Sequence, residues 1–238
     1  SGIIILVHSL FDSPLHVLPL YFLFFLNCVV LSMYSKKNVI PVKEKHVWEI
    51  NLFGRTVMLS IAVVLLVSGL YFITGKVSGL IDWQKGINSA QKENWDEAIV
   101  YYEKAKKNIP YDGRLKFNTG AAYLNSGKPH EAIPYLEQSL LSFQDKNIFI
   151  LLSFAYAEAN QKMKTENILK EFKYKFPNLL LPHLLLGKLY CENGRMVEAQ
   201  VQLEYVLSGN PKIKNEYAEE IKLEAKILME KVKEQLGK

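Results

Sequence analysis

Cysteine is nearly missing from this chain: Cys28 and Cys191 are the only two among 238 residues. One lies in an apolar stretch and the other in a repeat helix, so there is no disulfide framework and no metal-ligand spacing. Acids are scarce at one end. Residues 1–78 hold only Asp12, Glu44 and Glu49, whereas residues 79–238 carry 23 Lys or Arg against 21 Asp or Glu. That balance describes a solvated surface. The clustered basic face of a nucleic-acid binder is lacking, which excludes nucleic acid as a partner. No basic stretch precedes the apolar N-terminus, so a secretory signal peptide does not fit. With Ser1 in first place, the chain reads as cut from a longer polypeptide. Nothing calls for a cofactor. The uneven composition predicts two regions.

What is present is a period. Small residues recur at Gly86, Gly120, Ser153 and Gly187, spaced 34, 33 and 34 residues apart. Three positions on stand Ser89, Tyr123, Tyr156 and Tyr190. A second small column reads Ala98, Ala132, Thr165 and Ala199, followed four residues later by Tyr102, Leu136, Leu169 and Leu203. Pro110, Gln144, Pro177 and Pro211 occupy the last column. A period near 34 with two helices per unit is the tetratricopeptide pattern. The small residues let the two helices of a unit approach closely, and Tyr123, Tyr156 and Tyr190 are expected to fill the space left. Gly127, Asn160 and Gly194 stand where a left-handed backbone is needed between helices. Ser89, Thr165 and Gln144 depart from the pattern, which makes the first and third units the less regular. Four repeats are expected, at 79–112, 113–145, 146–179 and 180–212. A helix over 213–238 follows, with Tyr217, Ile221, Leu228, Val232 and Leu236 on one face to cap the open end of the stack. Pro182 fits the first turn of the fourth repeat, Pro134 sits early in a second helix, and His183 reads as surface or groove lining.

The other region is apolar. Thr56 to Gly75 has no charge over 20 residues, enough for a bilayer core of roughly 30 Å at 1.5 Å per residue. Val17 to Tyr34 is also uncharged and ends at Lys36 and Lys37. The sequence thus predicts two membrane spans: one at about Val17 to Tyr34, within a region 1–34 that begins with an outer-edge motif, and one at 56–75. The loop 35–55, with Lys36, Lys37, Lys43, Lys45 and Arg55, is expected in the cytoplasm. The repeats then face the periplasm or exterior of a bacterial inner membrane, and membrane lipid is an expected partner. The fold class expected is all-α: two transmembrane helices, a tetratricopeptide solenoid and a capping helix.

Residues 8–15 read HSLFDSPL. His8, Ser9 and Asp12 beside a span require water or protein partners, and Pro14 limits the helix they begin. Ser9 adjoins His8, so their side chains diverge and no hydrolase triad forms. This stretch, leading into a Leu/Phe-rich span, a basic loop, a second span and repeats, resembles the C-terminal part of O-antigen ligase and polymerase-like membrane proteins. The resemblance implies transfer of an undecaprenyl-diphosphate-linked glycan outside the cytoplasm, without a metal. His8, Ser9, Asp12 and Pro14 would be a supporting signature. The diphosphate-handling residues would lie before Ser1, leaving this segment inactive by itself.

In a tetratricopeptide array the first helices line a groove for an extended peptide or a partner helix. The expected lining is Trp83, Ile87 and Gln91 from the first repeat. Arg114, Phe117, Ala121, Leu124 and Asn125 come from the second, and Asn147, Ile150, Phe154 and Glu158 from the third. The fourth gives Leu184, Lys188, Cys191 and Glu192. Two functions follow: the tail of a glycan ligase or polymerase whose repeats recruit partners, or a membrane-tethered adaptor without enzymatic activity. The apolar spans argue against a third, a soluble chaperone-type module.

Overall fold

The computed structural model describes residues 52–209 and 216–237. His8, Ser9, Asp12, Pro14, the expected first span within 1–34, most of the basic loop and Pro211 lie outside them. Among the described residues there are nine α-helices: α1 (Leu52–Gln91), α2 (Trp95–Asn108), α3 (Gly113–Asn125), α4 (Pro129–Ser142), α5 (Lys146–Glu158), α6 (Lys162–Lys175), α7 (Leu181–Glu192), α8 (Met196–Ser208) and α9 (Glu216–Leu236). Two compact units result, divided between Ser78 and Gly79.

In the first unit, the apolar part of α1 leaves Val57, Ile61, Val64, Tyr71 and Phe72 exposed. One helix among the described residues is therefore long and apolar enough to cross a membrane, where the sequence led to an expectation of two. Three of its hydroxyls are satisfied within the helix: Ser60 donates to the Thr56 carbonyl, Ser68 to Leu65 and Thr74 to Tyr71, each at 2.9 Å.

The second unit is a stack of helix pairs, in which consecutive helices from α2 to α9 pack on one another. The small column explains the close approach within each pair. A Cβ on Gly86 would fall 2.4 Å from the Tyr102 ring, one on Gly120 2.7 Å from Leu136 Cγ, and one on Gly187 2.8 Å from Leu203 Cδ2. Tyr102, Leu136 and Leu203 thus fill the room beside the glycines. This corrects the expectation that Tyr123, Tyr156 and Tyr190 would do so; Tyr156 and Tyr190 donate to carboxylates of the preceding repeat instead, and the Tyr123 ring stacks on Tyr135 of its own repeat. Ala98, Ala132 and Ala199 are fully buried. Thr165 takes the alanine place by donating its hydroxyl to the Gln161 carbonyl at 3.1 Å. Ser89 takes a tyrosine place and donates to Glu97 at 3.1 Å.

The turns between paired helices share one hydrogen-bond pattern. Gly127 (φ 74°), Asn160 (φ 56°) and Gly194 (φ 73°) are left-handed as the sequence predicts. The following N–H reaches back five residues, from Lys128 to the Tyr123 carbonyl (2.9 Å), Gln161 to Tyr156 (2.8 Å) and Arg195 to Tyr190 (2.8 Å). This closes the helix end and satisfies a carbonyl left free by the last turn. The first repeat does the same, with Asn94 donating to Ser89 at 3.0 Å, but its left-handed residue is Glu93 (φ 59°). A side chain in that region costs about 1–2 kcal/mol; the closed hydrogen-bond pattern holds it there. Asp112 and Asp145 cap α3 and α5, accepting from Arg114 and Leu115 (2.8 and 3.0 Å) and from Asn147 (2.8 Å). Pro182 lies in the first turn of α7, and Pro134 lies inside α4.

α9 buries Ala218, Ile221, Ala225, Met229 and Val232 against α7 and α8. Tyr217 and Leu236, expected on that face, are exposed instead. Spacing alone does not separate a stripe from its neighbour one turn-angle away, and the small Ala225 is what permits close packing. His183 also differs from expectation. It is buried, its ring stacks on Tyr205 at 3.8 Å between centroids, and its Nδ1 lies 3.0 Å from Gln202 Oε1. Burial first, and Lys173 in addition, push its pKa below the ordinary histidine value, against the hydrogen bond that the ring donates to Gln202.

Candidate interaction surfaces

α3 packs directly on α5 across repeats and α7 on the capping helix α9; α5 and α7 do not pair in this way, and neither do α4 and α6. The row of first helices is therefore the short, inner side of the stack, and residues on its free face form the candidate groove.

Most of the expected lining residues reach that face. Gln91, Arg114, Asn125, Asn147, Glu158 and Glu192 are exposed. Trp83 and Ile87 are half-buried on the first core cluster, and Phe117 and Ile150 on the second. Phe154 is 45% exposed and belongs to neither cluster. The Trp83 indole N–H is buried with no acceptor among the described residues. Three positions are committed elsewhere. Leu124 (8% exposed) and Leu184 (1%) lie in the core, where packing between repeats claims them. Lys188 is half-buried and ion-paired with Glu224 of α9, so it closes the end of the stack. Cys191 is half-buried with its thiol pKa raised, burial being the larger cause.

A polar ladder that sequence reasoning missed links adjacent repeats. Tyr156 donates to Glu137 of the preceding repeat at 2.6 Å, and Lys164 stands 3.6 Å from that carboxylate and 5.2 Å from the Tyr156 ring centroid. Tyr135 donates to Glu103 and receives from Lys106 at 2.7 Å, with its ring stacked on Tyr123 at 5.5 Å. Lys128 reaches Asp96 at 2.7 Å. At the third junction Glu166 accepts from Lys170 (2.7 Å), Arg195 (2.7 Å) and Tyr190 (3.2 Å), and the Arg195 guanidinium lies 4.3 Å from the Tyr190 ring centroid. The available signal was a cation just after the turn glycine, Lys128 and Arg195, combined with the tyrosine column.

Lys170 and then Arg195 hold the Glu166 carboxyl down at about 2, from an ordinary 4.5. A depressed folded-state pKa stabilises above the unfolded value, and that contribution is lost as pH falls through the folded one. Acidification from about 4.5 to about 2 is therefore expected to weaken the junction of the third and fourth repeats. Glu166→Gln should be less stable than the parent at neutral pH and converge with it near the acid limit, as measured by urea titrations across pH. Parallel pH profiles for the two proteins would rule this out.

The arrangement matches known structures. MamA designated AMB-1 superposes with a TM-score of 0.54 at 18% identity, covering 68% of this chain and 84% of that one. A second crystal structure of MamA gives 0.53 at 20% identity, covering 66% and 91%. The MamA RS-1 ArsTM double mutant gives 0.52 at 21%, covering 61% and 81%. The fold is a tetratricopeptide-type helical repeat. No protein-family model matches the chain, and no curated protein does. None of these comparisons indicates an O-antigen ligase.

Proposed function

We propose that this chain is a membrane-tethered tetratricopeptide adaptor that holds a protein segment along its inner face. The observation that carries the reading is Phe154: a large aromatic, 45% exposed on the inner row, which no core cluster absorbs. Along the same row of first helices, exposed Gln91, Asn125, Asn147 and Glu158 offer hydrogen bonds, and half-buried Phe117 and Ile87 add apolar surface. Such mixed surfaces suit an extended peptide or a helix. The fold and its structural neighbours favour this adaptor over glycan transfer, since neither supports a lipid-linked glycan as partner.

The tether is the apolar part of α1. Its uncharged stretch and the internally bonded hydroxyls of Ser60, Ser68 and Thr74 suit hydrocarbon, where an unbonded polar group costs several kcal/mol. Lys36, Lys37, Lys43, Lys45 and Arg55 favour a cytoplasmic loop before it, which puts the repeats on the opposite face of a bacterial inner membrane.

Two experiments test this reading. A photo-crosslinking residue at position 154 should yield adducts with another protein in intact cells, and one at Val100 on the outer row should not. Equal labelling, or none at 154, would sink the groove. For sidedness, Gln144→Cys in a chain with Cys28 and Cys191 replaced by serine should react with an impermeant maleimide before the inner membrane is broken. Reaction only afterwards reverses the topology.

A further inference from the structure

The geometry points to a second docking surface, the outward face of α9, and to its occupant: a basic amphipathic helix of another protein. The helix buries Ala218, Ile221, Ala225, Met229 and Val232. On the opposite side Leu223 is 62% exposed and Ile227 50%, one turn apart. The same side carries Glu216 and Glu220 before the pair and Glu230 and Glu234 after it, all exposed. None of the four makes an ion pair or hydrogen bond among the described residues, although Glu224 on the flank is held by Lys188. The acids stand three and seven positions from the nearer apolar residue on both sides, so the pattern reads the same in either direction along the helix.

That symmetry decides between occupants. A second copy of this face would bring carboxylates against carboxylates around the apolar pair, and like charges across a packed interface are disfavoured. An anionic lipid surface is repelled for the same reason. A helix with an apolar pair one turn apart and Lys or Arg three and seven positions to each side satisfies both features. Its apolar residues cover Leu223 and Ile227 as ridges set into grooves, and its cations meet the four carboxylates and guide the encounter. The surface lies on a different helix from Phe154, so it stands whether or not the inner groove holds a peptide.

The test uses the full chain in detergent micelles and two synthetic helical peptides. Each has a Leu-x-x-x-Leu centre; one carries Lys at positions three and seven to each side, and its twin carries Glu there. The lysine peptide should bind by fluorescence anisotropy, weakening as salt rises, since exposed charges are screened over about 10 Å at 0.1 M. Leu223→Gln with Ile227→Gln should weaken it at least tenfold, as should replacement of the four glutamates by glutamine. Both variants alter only exposed positions and should keep the parent's circular dichroism melt. Equal binding of the two peptides, binding untouched by the Gln variants, or no binding at all would overturn the proposal. So would concentration-dependent dimerisation that the Leu223 and Ile227 changes abolish.

Discussion

Phe172→Ala is expected to lower stability by about 3–5 kcal/mol, the range for removing a large aromatic from a packed core. Phe172 is fully buried. Its ring stacks on Phe149 at 5.5 Å with planes 11° apart, and meets the edge of Phe176 at 5.6 Å and 75°; Phe149 and Phe176 meet edge-on at 5.8 Å. Such pairs add about 0.5–1.5 kcal/mol each beyond area burial. The three rings join α5 to the end of α6 and lie in the larger core cluster that runs on into the fourth repeat. In a linear array each repeat contacts only its neighbours, so losing this cluster separates the second repeat from the fourth. The control lies two residues away: Tyr174 is 82% exposed, and Tyr174→Ala should stay within about 0.5 kcal/mol. Urea denaturation followed by circular dichroism measures both. Comparable losses at the two positions would show that the cluster does not hold the array together.

The features that were legible in the sequence are those set by backbone sterics. A small residue where two helices nearly touch, a left-handed residue at a turn and a proline past a helix end are each demanded by local geometry, and each leaves a letter at a fixed interval. Gly120, Gly127, Gly187 and Gly194 were readable for that reason. Features set by side-chain direction were less so. Tyr123, Tyr156 and Tyr190 recur as strictly as the glycines, yet a column does not say which neighbour its side chain meets. Tyr156 and Tyr190 reach carboxylates of the preceding repeat, Glu137 and Glu166, whereas Tyr123 stacks on Tyr135 of its own repeat, which in turn reaches Glu103. These acids occupy no single column, since Glu166 lies at a different register from Glu103 and Glu137. Glu93 was illegible for the opposite reason: the closed turn overrides the preference of its own residue. The inner face falls between these cases. Counting along a first helix places Arg114, Phe117, Ala121 and Asn125 on one side, but the same count places Leu124 there too. Its burial follows from packing between repeats, which a single helix does not encode.

Gly120→Leu tests the steric logic where it is tightest. The first atom added would lie 2.7 Å from Leu136 Cγ and 3.3 Å from the Ala132 carbonyl oxygen, and the rest of the side chain has no room. Overpacking of this kind costs about 1–3 kcal/mol, occasionally more. The better helix propensity of leucine returns less than about 1 kcal/mol. The expected net loss is about 2 kcal/mol, since overpacking at the top of its range exceeds the propensity gain. Leu136→Ala alone should cost about 2–5 kcal/mol by leaving a cavity. Together, the two changes move volume from one helix to the other, which packed cores tolerate best. The double variant should therefore be more stable than the sum of its parts by about 0.5–3 kcal/mol, the coupling seen between residues in contact. The rescue stays partial because the Ala132 carbonyl is backbone and cannot withdraw. Gly127→Leu supplies the contrast. Nothing lies within 4 Å of its missing Cβ, but φ is 74°, so the substitution costs about 1–2 kcal/mol through the backbone alone, and Leu136→Ala should not relieve it. If Leu136→Ala rescued both glycine variants equally, or neither, close approach of α3 and α4 would not be the reason the small column exists.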